Sequence, residues 1–358
     1  MTARRPLDGV DHGRRVVTLR PRGRVLGTPD LRALIVGALL LAAAVALAFT
    51  GLVTGSAAIP VADVLAVLAG DASPYANLVV GEWRMPRIAL ALVLGACLAV
   101  SGAIFQNLTE NPLGSPDVIG FQTGAYTGAL VVMLHLRLGT GATIAGSLLG
   151  GLLTAVLVLA LSTGQRNATG MQLVIVGIGV SAILAAVNTW ILLRATVEDA
   201  MMASLWGAGT LAGANWGKTV PVLVAVVPLL AAAVVLARAM RVLELGVPAA
   251  TALGLRVRAV QLSAVVVGVA LTALATATAG PIAFIALAAP HIARRLTRTP
   301  GVGVWATAAT GAFLLTASDL VAQRIHPSTP LPVGIVTVSI GGLYFLWLLL
   351  REGKRSRA

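Results

Sequence analysis

The chain has 358 residues, 58% of them hydrophobic and only 11% charged, with 39 glycines and 4% aromatics. A soluble domain has about a quarter of its residues charged, so this composition excludes an ordinary soluble enzyme and points to a lipid solvent, where glycine lets helices pack closely. The net charge of +13 raises nucleic acid as a partner until the positions of the charges are considered, and the single cysteine, Cys97, excludes an intrachain disulfide and reads as a small core residue.

Residues 1–30 form an arginine-rich tail, expected to be disordered and to meet anionic lipid without specificity. The apolar stretch after it is too long for the core of a cleavable signal, so it is expected to remain as the first span. A bilayer takes about 20 apolar residues per helix. Stretches of that kind fall at 33–53, 88–108, 118–136, 140–161, 171–193, 219–236, 259–279, 301–322 and 333–350. The run from Ala259 to Arg295 is too long for one crossing and short for two. Gly280 and Pro281 interrupt it, and proline cannot continue an ideal helix.

The basic residues arbitrate. With the N-terminal tail cytoplasmic and the run split at Gly280, ten spans result, and 20 of the 26 Lys and Arg lie inside. Arg84, Arg87, Arg137, Arg194, Lys218 and Arg324 lie outside. A single crossing gives nine spans and leaves 14 inside against 12 outside. The positive-inside rule prefers ten, with both termini cytoplasmic. The basic residues therefore mark the cytoplasmic face, and nucleic acid is excluded as a partner.

The stretch "AGANWGKT" (212–219) approaches the phosphate loop G-x-x-x-x-G-K-[ST]. Gly217, Lys218 and Thr219 match, but Ala212 stands where the first glycine belongs. Lys218 falls outside, no strand pattern precedes it, and Pro221 is expected to open a membrane helix. A phosphate loop needs strand, loop and helix so that backbone N–H groups converge on phosphates. The chain is read as having no ATPase site.

Most acidic residues lie at span edges: Glu82, Glu110, Asp117, Glu198, Asp199 and Glu244. Asp319 is the exception, late in the ninth span with Arg324 five residues on. It reads as a helix-end carboxylate near the outer interface, with proton coupling in an ion-coupled secondary transporter as the alternative. His135, His291 and His326 sit at span ends and make no ligand cluster, so no metal site is expected. The spans hold uncharged polar residues instead: Ser101, Gln106, Gln122, Thr123, Asn188, Thr189, Ser263 and Thr272. In lipid these must face protein or a water-filled path. They suit either helix-to-helix hydrogen bonds or a pathway for a large neutral or anionic solute.

Two stretches carry a family resemblance. One is "EWRMPRIALALVLGACLAVSGAIFQNLTENPLGSPDVIGFQTGA" (82–125). The other runs from "AATALGLRVRAVQL" to "AGPIAFIALAAPHIARR" (249–295), followed by "LPVGIVTVSIGGLYFLWLL" (331–349). They resemble the FecCD-type permeases, membrane subunits of ABC importers for iron–siderophore complexes, haem and cobalamin. The resemblance covers nearly all of 30–352. It implies an all-α type II ABC importer permease fold of ten transmembrane helices over 31–352, a short basic cytoplasmic tail at 353–358, and a bacterial cytoplasmic membrane. "NPLGSPDVIGF", "GIGVSAILAAVNTWILL" and "LWGAGTLAGANWGKT" resemble the members that carry ferric catecholate siderophores of the enterobactin type, with cobalamin or haem as the competing cargo.

The resemblance also implies partners and site residues. A second, related permease completes a heterodimer, two ATP-binding subunits bind beneath with ATP and Mg²⁺, and an extracytoplasmic binding protein delivers cargo. This chain itself is expected to bind no cofactor. Arg84 and Arg87 align with the family's outer docking arginines. A third such arginine aligns with Gln323, one position before Arg324. Residues 245–258 resemble the loop that couples to the ATPase, where Ala249, Ala250 and Gly254 keep the pattern of two short helices meeting at a glycine turn, and Pro248 replaces a frequent glutamate. "NPLGSPD" and "AGPIAF" read as helix breaks, with Asn111, Pro112, Gly280 and Pro281 as gating candidates and Asn111 and Ser115 as helix caps. Ser101, Gln106, Gln122 and Asn188 are the pathway candidates. Spans 2–5 and 7–10 read as inverted halves.

Overall fold

The computed structural model describes residues 30–55, 57–162, 170–299, 301, 303–325 and 331–355. Expectations that fall on the tail at 1–29, on Arg166, on His326 and on 356–358 lie outside these residues. Among the described residues there is no β-strand.

The first helix, α1 (Leu31–Val53), is capped by Asp30, whose Oδ1 accepts from the Arg32 amide at 2.8 Å. A short α2 (Val61–Ala69) follows. The single turn α3 (Pro74–Ala76), a π-helical stretch (Asn77–Arg84) and α4 (Met85–Leu108) run together as one helix of 35 residues. This helix was expected to begin at 88. It begins at 74 because Ser73 caps it, its Oγ accepting from the Ala76 amide at 3.2 Å, with Pro74 in the first turn. The wide turn precedes Pro86, which has no N–H to offer an i−4 carbonyl, and the Met85 amide bonds instead to Val80 O.

Next come α5 (Phe121–Leu130), extended by a π-helical turn (Val131–Leu136), then α6 (Thr140–Ser162) and α7 (Gly170–Leu193). A short α8 (Val197–Gly207) precedes α9 (Trp216–Leu243), which starts before the expected residue 219 and holds both Pro221 and Pro228 inside it. After the six-residue α10 (Val247–Ala252) come α11 (Val257–Ala279), α12 (Ile285–Thr297), α13 (Val304–Ile325) and α14 (Val333–Arg355).

Seven of these helices are long and apolar enough to cross a membrane: α1, the continuous helix 74–108, α6, α7, α9, α11 and α13. The other three expected crossings fall on α5 with its extension, on α12 and on α14. The 13 residues of α12 rise about 20 Å, short of a hydrocarbon core of about 30 Å. Charge alone could not reveal that shortfall.

The core centres on α4, which packs on α9, α11, α12 and α13. Close approach explains its glycines. A Cβ on Gly95 would collide with the carbonyl of Gly311 in α13, and one on Gly102 with that of Ala286 in α12. Small residues at helix crossings are what close packing without a hydrophobic gradient requires. The segment after α8, expected to be an outer loop, folds back onto the end of α11: the Thr210 amide donates to Ala279 O at 2.7 Å, and the Gly334 amide to Gly209 O at 3.1 Å.

Candidate functional site

At one end of α4 the two candidate docking arginines are already engaged within the chain. The Arg84 guanidinium donates to Leu52 O at 2.6 Å and to Ala57 O. Arg87 lies one turn further on and grips Asp319 of α13 with two nitrogens, Nε at 3.0 Å from Oδ2 and Nη2 at 2.8 Å from Oδ1. Gln323 donates to the same carboxylate at 2.8 Å. Asp319, expected as a helix-end carboxylate near the outer interface, is buried, with its side chain 3% exposed and its charge compensated by Arg87. Arg324, the neighbour in sequence, turns away to Leu320 O and to Thr54 Oγ1. The sequence held a signal for this pair, because a carboxylate within an apolar helix demands a cation, but 232 residues separate the partners.

Most of the uncharged polar set joins helices. Ser101 Oγ donates to Gly268 O at 2.7 Å and meets Thr272 Oγ1 at 2.7 Å, tying α4 to α11. Gln106 donates to Leu287 O at 3.0 Å and accepts from Arg294 Nη2 at 2.5 Å. Gln122 donates to Ile282 O at 3.1 Å. Thr123 pairs with Ser181 at 3.0 Å, Thr189 bonds back to Ala185 O, and Ser263 is exposed. Asn188 is buried, and its Oδ1 has no hydrogen-bond partner among the described residues.

The two helix breaks meet. After α4, residues 109–120 turn without forming a helix, and α11 stops at Gly280, where φ is +75°. Pro281 follows, and Phe284 holds φ +71° before α12. Asp117, read from sequence as an edge residue, lies against this second break: its Oδ2 accepts from the Phe284 amide at 3.2 Å. The expected caps are absent. Asn111 Oδ1 accepts from Leu113 in a local turn past Pro112, and Ser115 Oγ is buried without a partner among the described residues. Gly120, with φ +91°, opens α5 in their place, so the turn rather than a side chain sets the helix start.

At the other end of α4 lies a cavity of about 360 Å³, lined in part by Gln106, Asn107, Glu110, Glu244, Gln261 and Arg294. Asn107 donates to Glu244 Oε1 at 2.7 Å. Burial pushes the Glu244 carboxyl above its ordinary range, opposed by the Asn107 hydrogen bond and by Arg241 and Arg294. Gly246 follows with φ +91° and leads into α10, where Pro248 sits in the first turn, Ala249 is exposed and Ala250 is buried. The expected pair of short helices is one short helix and the start of α11, joined by Gly254 at φ +83° in open space. The positive φ selects glycine there, because Cβ would meet the carbonyl.

Around Lys218 there is no phosphate cradle. Asn215 caps α9, its Oδ1 taking the Lys218 amide at 3.0 Å, and helix α8 rather than a strand comes before. Among the described residues no group of three His, Cys, Asp or Glu could hold a metal ion, and Cys97 is buried.

The sequence pattern of the FecCD transport family matches residues 38–351. The chain belongs to the FecCD transport family. It is 47% identical over 324 residues to the ferric enterobactin transport system permease protein FepG of Escherichia coli strain K12, covering 90% of this chain and 98% of that one. It is 35% identical to the achromobactin transport system permease protein CbrC of Dickeya dadantii, over 88% of this chain and 90% of that one. A metal-chelate type ABC transporter solved in an inward-facing conformation shares the fold, with TM-score 0.78 and 24% identity over 88% of this chain and 99% of the other. As a FecCD-family permease the chain is a multi-pass membrane protein, consistent with its seven long apolar helices.

Proposed function

We propose that this chain is one permease subunit of an ATP-driven importer that moves a ferric siderophore of the catecholate, enterobactin-like kind across a bacterial cytoplasmic membrane. The observation that carries the cargo is the 47% identity to the ferric enterobactin permease over nearly the whole of both chains. The reading of ten crossings with both termini cytoplasmic is supported by the inward bias of Lys and Arg and by seven long apolar helices among the described residues, with α5, the short α12 and α14 taken as the other three.

A related permease completes the path, and ATP and Mg²⁺ belong to two partner subunits beneath. Residues 245–258 receive the stroke of those subunits through α10, with the exposed Ala249 at the contact, the buried Ala250 packing α10 onto this chain and Gly254 as the pivot. On the outer face, around Arg84 and Arg87, a binding protein docks. Its carboxylates engage the Arg84 guanidinium by exchange with the Leu52 and Ala57 oxygens, and meet the accessible edge of Arg87 while Arg87 stays paired with Asp319. Each exposed ion pair formed with the binding protein contributes about 0–1 kcal/mol, which keeps docking reversible.

Proteoliposomes holding the assembled complex are expected to accumulate radio-iron from ferric enterobactin when ATP and the binding protein are supplied. Uptake that persists without the ATPase subunits, or that favours labelled cobalamin over the catecholate, would overturn the reading.

A further inference from the structure

Every helix break strands backbone groups that the helix would have paired, and in a dry interior those groups need partners. The break at 280–284 frees Ile282 O and the Phe284 amide just before α12. Both are met by side chains from a single stretch of chain, residues 106–122, which runs from the end of α4 through the first break into α5. Gln122 donates to Ile282 O at 3.1 Å and Asp117 accepts from the Phe284 amide at 3.2 Å. Gln106 adds a third tie, to Leu287 O at 3.0 Å in the first turn of α12. Gln106 and Gln122 are each 4% exposed, so water does not compete for these bonds.

We infer that Gln106, Asp117 and Gln122 form a clasp which locks the second helix break onto the first, and that each transport cycle opens and recloses it. The inference rests on the importer reading above. Three observations favour a moving contact over a fixed one. Asp117 Oδ1 and Ser115 Oγ are buried without a hydrogen-bond partner among the described residues, so the first break can pair better in another arrangement. Phe284, a bulky residue, is held at φ +71°, strain that release of its amide would relieve. The clasp is also linked to the coupling segment by contiguous contacts: Glu244, two residues before Gly246, holds Asn107, and the adjacent Gln106 holds both Leu287 O and Arg294. Movement of α10 therefore reaches α12 through side chains already in contact, the physical continuity that a coupling route requires. Asp117 is the positioning residue of this device.

The test measures ferric enterobactin delivered per ATP hydrolysed by the complete complex in proteoliposomes, with the parent complex run beside each variant. Asp117→Ala is expected to lower this ratio about tenfold, within the span usual for coupling between distant sites, while the complex still hydrolyses ATP. Asp117→Asn keeps an acceptor oxygen for the Phe284 amide and is expected to restore the ratio to near the parent value. A merely structural role would lower yield, hydrolysis and uptake together and leave the ratio unmoved, and that result overturns the clasp. If Asp117→Ala does not assemble, Gln122→Ala decides, its ratio falling if the clasp works and staying at the parent value if it does not. A parent complex that takes up no ferric siderophore condemns the importer reading instead.

Discussion

The two ends of α4 are built on opposite plans. Near Arg87 the buried charges are matched: two guanidinium nitrogens and the Gln323 amide close around one carboxylate, and Asp319 is sealed from water. Near Asn107 the same helix ends at a cavity of about 360 Å³, where Glu244 is exposed and shares Asn107, Arg241 and Arg294 rather than owning a partner. The helix between them is a rigid, buried rod. One end is clamped to α13 by an ion pair and the other borders a cavity.

The contrast can be broken most forcefully at the clamp. Removing one member of a buried ion pair strands the other charge, at a cost of about 3–5 kcal/mol. Asp319→Ala is therefore expected to lose most of its folded protein, read as reduced yield and a lower melting temperature in detergent. Arg87→Met combined with Asp319→Leu removes both charges and is expected to recover most of that loss. An Asp319→Ala protein that melts like its parent would mean that the pair clamps nothing.

A smaller effect is expected at the coupling segment. Gly254 stands in open space, so Gly254→Val meets no neighbour, and its penalty is the strain of a positive φ, about 1–2 kcal/mol. The turn should deform rather than the fold collapse. Iron uptake is expected to fall while ATP hydrolysis by the assembled complex continues, and normal uptake would remove this turn from the coupling route.

The smallest effect belongs to Glu244. Its carboxyl is raised by burial, so the charged form is disfavoured in the folded protein. The stabilisation that goes with the neutral form is complete below the ordinary carboxylate value and fades as pH rises through the raised one. Melting temperature should therefore drop slightly as pH rises from the ordinary carboxylate value of about 4 through the raised one, and Glu244→Gln should flatten that slope. A variant with the same slope as its parent would show that Glu244 titrates as though it were in water.

The long helices were legible because about 20 apolar residues in a row have few other uses. The stop at Gly280–Pro281 was legible from backbone chemistry alone. So was the false phosphate loop, since nothing strand-like precedes Lys218. Contacts across the fold were not legible. Arg87 and Asp319 lie 232 residues apart, and Arg324 is the nearer cation in sequence. Asp117 reads as an edge residue because polar and proline neighbours surround it, whereas tertiary packing turns it onto the second break. Cap residues misled for a related reason: Asn111 and Ser115 have the right chemistry, but Gly120 at positive φ sets the start of α5 without them.

The shortness of α12 bears on how the chain is made. Thirteen residues that end in Arg294, Arg295 and a nearby Arg298 are too brief and too basic to leave the insertion machinery for lipid on their own. The strongly apolar α11 directly before them can partition first and draw its successor in behind it as a hairpin. The bend at 280–284 is then the tip of that hairpin, and the side chains that cover it, Gln106, Asp117 and Gln122, precede it in the chain and are made before it.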